Sequence, residues 1–422
     1  MVDVKIGDRI RFYRIQQNKT QEDLANGLIS VSYLSKIENN LSLPSLEVVD
    51  MLCEKLGIRF IDEEEPNLLE ELKDWYKLMV FQEKEEAESR YENLKEKAKR
   101  SSDSTSLVYF MLFEYRYQLM KWDIQEAESL HKKISEISDI LTDELNYFNY
   151  KFIGLYEYLN GRYKNAYDNY KKAESILLRS VFDKWEEADL CYSLGLTSSQ
   201  LWKVTLCIKY TTQALAIYQA QYNFKRSAEC QILLGISYRR SEEFEKAEES
   251  YLLADKIANT LKNSRLKGSI HHNLGYLYSM QAKTEQAIKH YEQSYLFNEQ
   301  EKMSNRLLNI FCIVSEYYKI GNYEQGLKWL DKGQKWILET NEYTEYYLHF
   351  KTYEYLMTGT NEEFEMFLKE RVIPFFELRK DSKYVSSYSE ELARYYESIH
   401  KYKLANNYYK ISNETLKKIN NI

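Results

Sequence analysis

AECQILLGISYRRSEEFEKAEESYLLADKIA, residues Ala228–Ala258, is followed by GSIHHNLGYLYSMQAKTEQAIKHYEQSYLF, residues Gly268–Phe297. Gly235, Tyr238, Ala247, Tyr251 and Ala254 recur as Gly275, Tyr278, Ala287, Tyr291 and Ser294, each 40 residues on. A fixed period of this size signals a stacked array of supersecondary units. Gly235 belongs on a first helix, where the missing side chain lets a neighbouring helix approach. Ala247 does the same on a second helix, and Tyr238 and Tyr251 fill the groove between them. The break falls at Ser241–Phe244, so the unit is a helical hairpin. One hairpin cannot bury its apolar face alone, and stacked copies supply the partner.

The period extends outward in both directions. Ala127, Ala166, Cys207, Ala247, Ala287 and Gly326 hold equivalent places, separated by 39, 41, 40, 40 and 39 residues. Ala405 lies 79 further on, two periods, which puts a degenerate copy near Glu345–Glu370. About eight hairpins therefore fill residues 104–422, the last at Ser389–Thr415. The order of small residue, Tyr, break, then Ala-x-x-x-Tyr resembles the tetratricopeptide repeat. That repeat has a period of about 34 residues, so these helices or their connections are longer. Only 3 Pro and 13 Gly but 39 Tyr in 422 residues suit long helices with tyrosines at their seams. The expected fold is all-α: an N-terminal helix-turn-helix bundle, then a right-handed superhelical solenoid of tetratricopeptide type.

Residues 1–61 have a different texture. Ile6, Ile10, Phe12 and Tyr13 give a first helix its apolar face. Thr20 caps a second, with Asp23 completing a loose capping box. After a break at Gly27–Ser30 a third helix runs SVSYLSKIENN, with Leu34 and Ile37 inward and Ser32, Tyr33, Ser35, Lys36 and Asn39 outward. Pro44 and Ser45 open a fourth helix that ends at Gly57. Two short helices joined by a tight turn, the second polar on its outer face, make a helix-turn-helix. Residues 1–45 carry six basic and five acidic side chains, so bulk charge does not argue for DNA.

TQEDLA, SYLSKIENN and LPSLE resemble the DNA-binding domain of the Xre and lambda-repressor family. The resemblance implies that Gln21 touches a phosphate and that Ser32, Tyr33 and Lys36 face base edges. Arg9, Arg11, Arg14 and Lys19 are candidates for phosphate contacts, which set register and salt dependence. The family has one more turn residue before the recognition helix, so the frame here is open by one position.

IDEEEPN is an acidic linker, residues 62–67 at its core, and marks a domain boundary. A bundle segment, residues 68–103, follows. The formal charge of −7 is mild, which confines any nucleic-acid contact to one patch. Five scattered cysteines with no C-x-x-C read as core residues of a reduced, cytoplasmic protein. No apolar run approaches the ~18 residues of a membrane span. No phosphate-binding loop, dinucleotide fingerprint, zinc-protease motif or nucleophile elbow occurs. The expectation is a protein that is not an enzyme, with no metal and no cofactor.

The repeat array offers a groove lined by the first helices. Side chains flanking the Gly position are the candidates for it: Arg116, Tyr158, Arg239, Arg240, His272, Tyr276, Tyr318, Arg394 and Glu397. Carboxamides of Asn149, Gln231, Asn273 and Asn309 could pair with an extended peptide, since one amide both donates and accepts. Asn two residues before the Gly is equally compatible with ordinary scaffold.

An Xre-type head joined to such an array resembles the RNPP family of peptide-pheromone receptors, which includes the Rap proteins. The resemblance implies that a short, re-imported signalling peptide binds the groove and changes oligomeric state and affinity for double-stranded DNA. It implies that groove asparagines and an arginine hold the peptide, matched here by Asn273, Asn309, Asn407 and Arg116. A homodimer is expected, with a tetramer as the alternative. The competing reading is a Rap-like module that binds a Spo0F-type response regulator and modulates a sporulation phosphorelay. Gln82, the glutamine between Leu68 and Arg100, does not match the Rap phosphatase position.

Overall fold

The computed structural model describes residues 6–58, 68–101, 103–297, 303–340 and 344–420. The acidic linker lies outside them. The described residues are helical and contain no strand. They divide into two compact units, residues 1–222 and 223–422.

Unit 1 begins with the head: α1 (Ile6–Gln16), α2 (Gln21–Ala25), α3 (Val31–Glu38) and α4 (Leu46–Leu56). Each start has a chemical cause. Thr20 and Asp23 form a reciprocal capping box at α2, and Ser30 and Ser45 cap α3 and α4 through their hydroxyls. Gly57 closes α4 at φ +67°, a left-handed conformation that suits glycine. The turn before α3 contains Gly27 at φ +77°, and α3 starts at Val31. The turn thus ends at Ser30, the cap of α3.

After the head come α5 (Leu68–Val80), α6 (Lys84–Arg100), α7 (Ser104–Lys121), α8 (Ile124–Glu136), α9 (Asp143–Leu159), α10 (Tyr163–Leu177), α11 (Lys184–Gln200) and α12 (Val204–Ala220). One continuous core runs from Ile10 and Phe12 of the head through Trp75, Phe113 and Phe152. The head is also tied by polar contacts. Tyr13 Oη donates to the Ser101 carbonyl at 3.2 Å, and Arg11 Nη1 donates to Asp139 Oδ2 at 2.6 Å. A buried ion cluster joins α9 to α11: Lys151 Nζ lies 2.6 Å from Glu186 and 2.8 Å from Asp189. The same ammonium donates to the Tyr76 hydroxyl of α5 at 2.9 Å.

Unit 2 holds α13 (Phe224–Arg240), α14 (Phe244–Thr260), α15 (Ser264–Met280), α16 (Thr284–Phe297), α17 (Met303–Lys319), α18 (Tyr323–Thr340) and α19 (Thr344–Thr358). Two short helices, α20 (Glu362–Phe367) and α21 (Ile373–Leu378), follow, joined by a π-turn over Leu368–Val372. The chain ends with α22 (Ser382–Ser398) and α23 (Tyr402–Asn420). The broken α20–α21 element is where the sequence period fades. Pro374 stands at its second start, where a missing N–H is harmless.

The repeat signature has a steric meaning. A Cβ on Gly235 would stand 2.4 Å from Tyr251 Cε1, and one on Gly275 would stand 2.7 Å from the Tyr291 ring. In unit 1, Gly154 meets Tyr170 in the same way at 2.6 Å. In α9, α13 and α15 the glycine of the first helix is thus the seat for the tyrosine of its own second helix. Ala127, Ala166, Cys207, Ala247 and Ala287 are all fully buried.

Candidate functional site

Two regions collect the nominated residues: the outer face of α3 and the first-helix surface of unit 2. On α3, Ser32 and Lys36 are exposed one turn apart and Tyr33 is half-buried. Ser32 and Lys36 stay available on one side, Leu34 and Ile37 anchor the other, and Tyr33 packs in part against the core.

The remaining head residues are occupied within the fold. Arg14 Nε and Nη2 donate to the two oxygens of Glu38 at 2.6 and 2.9 Å, and Gln21 Nε2 donates to Glu38 Oε2 at 2.7 Å. Arg14 Nη1 also donates to the Lys19 carbonyl, while Lys19 Nζ donates to the Lys55 carbonyl at 3.0 Å. Glu38, almost fully buried at the end of α3, therefore gathers α1 and the start of α2. Sequence reading placed Arg14, Lys19 and Gln21 against phosphate and overlooked Glu38. The capping pattern gave no hint of a buried carboxylate at that position. Arg9 is buried and Arg11 faces Asp139 and the Glu136 carbonyl.

In unit 2 the structure brings Arg239, His272, Tyr276 and Asn309 together. The Arg239 guanidinium lies 4.1 Å from the Tyr276 ring centroid. His272 Nδ1 meets Asn309 Oδ1 at 2.9 Å, so that nitrogen carries the proton. Asn309 Nδ2 donates to the Asn305 carbonyl at 3.0 Å, and Asn273 Nδ2 donates to the Ser269 carbonyl at 2.9 Å. Asn309 is fully buried, with its oxygen on His272, whereas the half-buried Asn273 keeps a second N–H and its carbonyl oxygen for a ligand backbone. Burial holds His272 below the ordinary imidazole range, with Arg239 and Lys383 acting in the same direction.

A cleft of roughly 250 Å³ opens beside Tyr276 among α15, α17, α19 and α22. Ser279, Cys312, Glu316, Tyr353 and Lys383 line it with Tyr276. Glu316 is buried, and its Oε1 accepts from Ser279 and Lys319 at 2.5 Å each. Burial pushes the Cys312 thiol up to about 12, so it is a neutral wall group. Lys383 Nζ lies 5.2 Å from the Tyr276 ring centroid; sequence reading missed it because nothing local marks one lysine among 58 basic residues.

Other nominated residues stand elsewhere. Arg116 and Tyr158 belong to unit 1 and are half-buried. Asn149 and Gln231 are buried. Asn407 is exposed on α23, a second helix, and shares no contact with the His272–Asn309 cluster. Arg394 pairs with Glu390 and Glu391. Gln82 sits in the turn between α5 and α6 at φ +62°. Among the described residues no cluster of His, Cys, Asp and Glu could hold a metal ion, and no helix is long and apolar enough to cross a membrane.

Residues 10–62 match the helix-turn-helix family. Over 377 residues the chain is 44% identical to the transcriptional activator NprA of Geobacillus stearothermophilus, covering 88% of this chain and 93% of that one. The chain belongs to the RNPP family. Its fold is the RNPP helical solenoid: it superposes on the apo form of the quorum sensor NprR from B. thuringiensis with a TM-score of 0.74. That match covers 83% of this chain and 99% of the other at 22% identity. A structure of NprR in complex with its cognate peptide NprX matches with a TM-score of 0.60 over 85% of this chain and 100% of the other, also at 22% identity. The tetratricopeptide-like architecture expected from the 40-residue period is thus the fold of this RNPP member.

Proposed function

We propose that this RNPP protein is a cytoplasmic transcription regulator that binds operator DNA through α3 and a short imported signalling peptide in the groove of unit 2. The observation that carries the reading is the pairing of an exposed, polar α3 face with the polar cluster of Arg239, His272, Tyr276 and Asn309 on the first helices of unit 2. In this reading Ser32, Tyr33 and Lys36 meet base edges, because a recognition helix reads the major groove through its outer face. Asn273 retains the donor and acceptor capacity that an extended peptide backbone needs, and the buried Asn309 holds His272 beside it. NprA, a transcriptional activator by name, and NprR, crystallised with NprX, support both halves of the reading.

The head works as a homodimer, two copies of α3 entering successive major grooves. Peptide shifts the balance of conformers or oligomers by its unequal affinity for them. The protein performs no chemistry of its own in this reading. A gel shift with promoter DNA, with and without short synthetic peptides, tests it. DNA binding that responds to peptide is expected; no DNA binding under any peptide condition defeats the proposal.

A further inference from the structure

The ring of Tyr276 is contacted by two cations from opposite ends of unit 2. Arg239 comes from α13, with its guanidinium 4.1 Å from the centroid. Lys383 comes from α22, with its ammonium 5.2 Å away. Among the described residues neither forms an ion pair. Arg239 is more than nine-tenths buried, and its Nε has no hydrogen-bond partner. Its Nη1 rests on the Met280 sulfur at 3.6 Å, a weak acceptor. A buried guanidinium is ordinarily matched by a carboxylate or other anion. Glu316, which lines the cleft beside Tyr276 and Lys383, is already held by Lys319. Neighbouring His272 feels the two positive charges, which add to the effect of its burial.

Resting on the peptide-receptor reading above, we infer that Arg239 and Lys383 form a carboxylate-binding subsite beside Tyr276, and that the peptide this groove selects places an acidic side chain or its own C-terminal carboxylate there. The planar guanidinium suits a two-oxygen acceptor, and the flexible lysine adds a second point charge. The tyrosine face steadies both cations while the site is empty. Asn273 follows His272 on α15, so the peptide backbone and the acidic group are read from neighbouring positions of one helix.

The test uses the full chain and a library of labelled heptapeptides, read by fluorescence anisotropy. Each binder is remade as matched pairs: Asp against Asn, Glu against Gln, and free C-terminal carboxylate against carboxamide. Removing the relevant carboxylate is expected to weaken binding at least about tenfold, the scale of one charge-assisted hydrogen bond. The pair that shows the loss identifies the source of the carboxylate. Lys383→Gln, at an exposed residue, and Arg239→Gln, checked by circular dichroism, are expected to bring that ratio close to one. Binders whose affinity is indifferent to every amide replacement overturn the inference while leaving the peptide reading intact. So does a carboxylate preference that survives in both variants. Failure of every library member to bind overturns the peptide reading and this inference with it.

Discussion

Arg14 and Glu38 join α1 to α3 through two parallel bonds, Nε to Oε1 at 2.6 Å and Nη2 to Oε2 at 2.9 Å. Gln21 adds a third donor at 2.7 Å. Because Glu38 ends the helix whose outer face carries Ser32 and Lys36, this clamp sets the attitude of that face. Glu38→Ala leaves Arg14 partly buried without its anion. Breaking such a pair costs about 3–5 kcal/mol, so a fall in the denaturation midpoint of unit 1 is expected in urea. A midpoint within error of wild type would show that the clamp is not structural.

Lys36 and Arg11 should separate in a DNA-binding assay. Lys36 is exposed on α3, and its loss as Lys36→Ala should cost about 1–3 kcal/mol and relax base preference at one position of the site. Arg11 points at Asp139 and the Glu136 carbonyl instead. Arg11→Gln should loosen the attachment of the head to α8 and leave the base preference unchanged. Competition with single-base operator variants measures both.

Gly235→Ala should destabilise unit 2 although alanine is the better helix former. The added Cβ would stand 2.4 Å from Tyr251 Cε1, in a ring that is fully buried. Overpacking of this kind costs about 1–3 kcal/mol, against roughly 1 kcal/mol gained from helix propensity. A lower unfolding midpoint is expected, and Gly275→Ala, facing Tyr291, should behave alike. A raised midpoint would contradict the seat-and-ring account of the repeat.

Unit 2 should lose stability as the solution is acidified from about neutral. His271 and His290 meet through their Nδ1 atoms at 2.9 Å. Burial, with His271 beside it, holds His290 down to about 4 from 6.5, while Asp255 and Glu248 of α14 act in the opposite direction and Lys289 adds to the depression. The unfolded chain therefore takes up a proton that the folded chain refuses. Stability from this group is complete above 6.5 and falls as pH drops from there towards 4. Melting temperatures across that window should fall less steeply in His290→Gln than in wild type.

Much of this was legible in the chain. The Gly235–Tyr251 relationship follows from spacing alone, because the 40-residue period repeats the small residue and the ring together. The caps at Thr20, Ser45 and Gly57 announce their helices through local chemistry. What sequence spacing does not carry is convergence across the fold. Glu38 looks like one more charge on a polar helix end, yet it gathers Arg14 and Gln21. Lys383 belongs to a repeat three first helices away from Tyr276, and only the packing of α15 and α22 brings them within reach. The nominated Arg239, His272, Tyr276 and Asn309 do come together, whereas Asn407 does not join them. A frame counted from the glycine predicts neighbours along one helix and says little about a second helix.

The central claim is that occupancy of the unit 2 groove governs the affinity of α3 for DNA. Its most direct measurement is operator affinity by anisotropy, with and without a saturating groove-binding heptapeptide, for wild type and Asn273→Ala. The account predicts a shift of about 5–150-fold, the usual range of such coupling, in wild type, and its loss in the variant at the same peptide concentration. Operator affinity in wild type that stays constant at saturating peptide would contradict it.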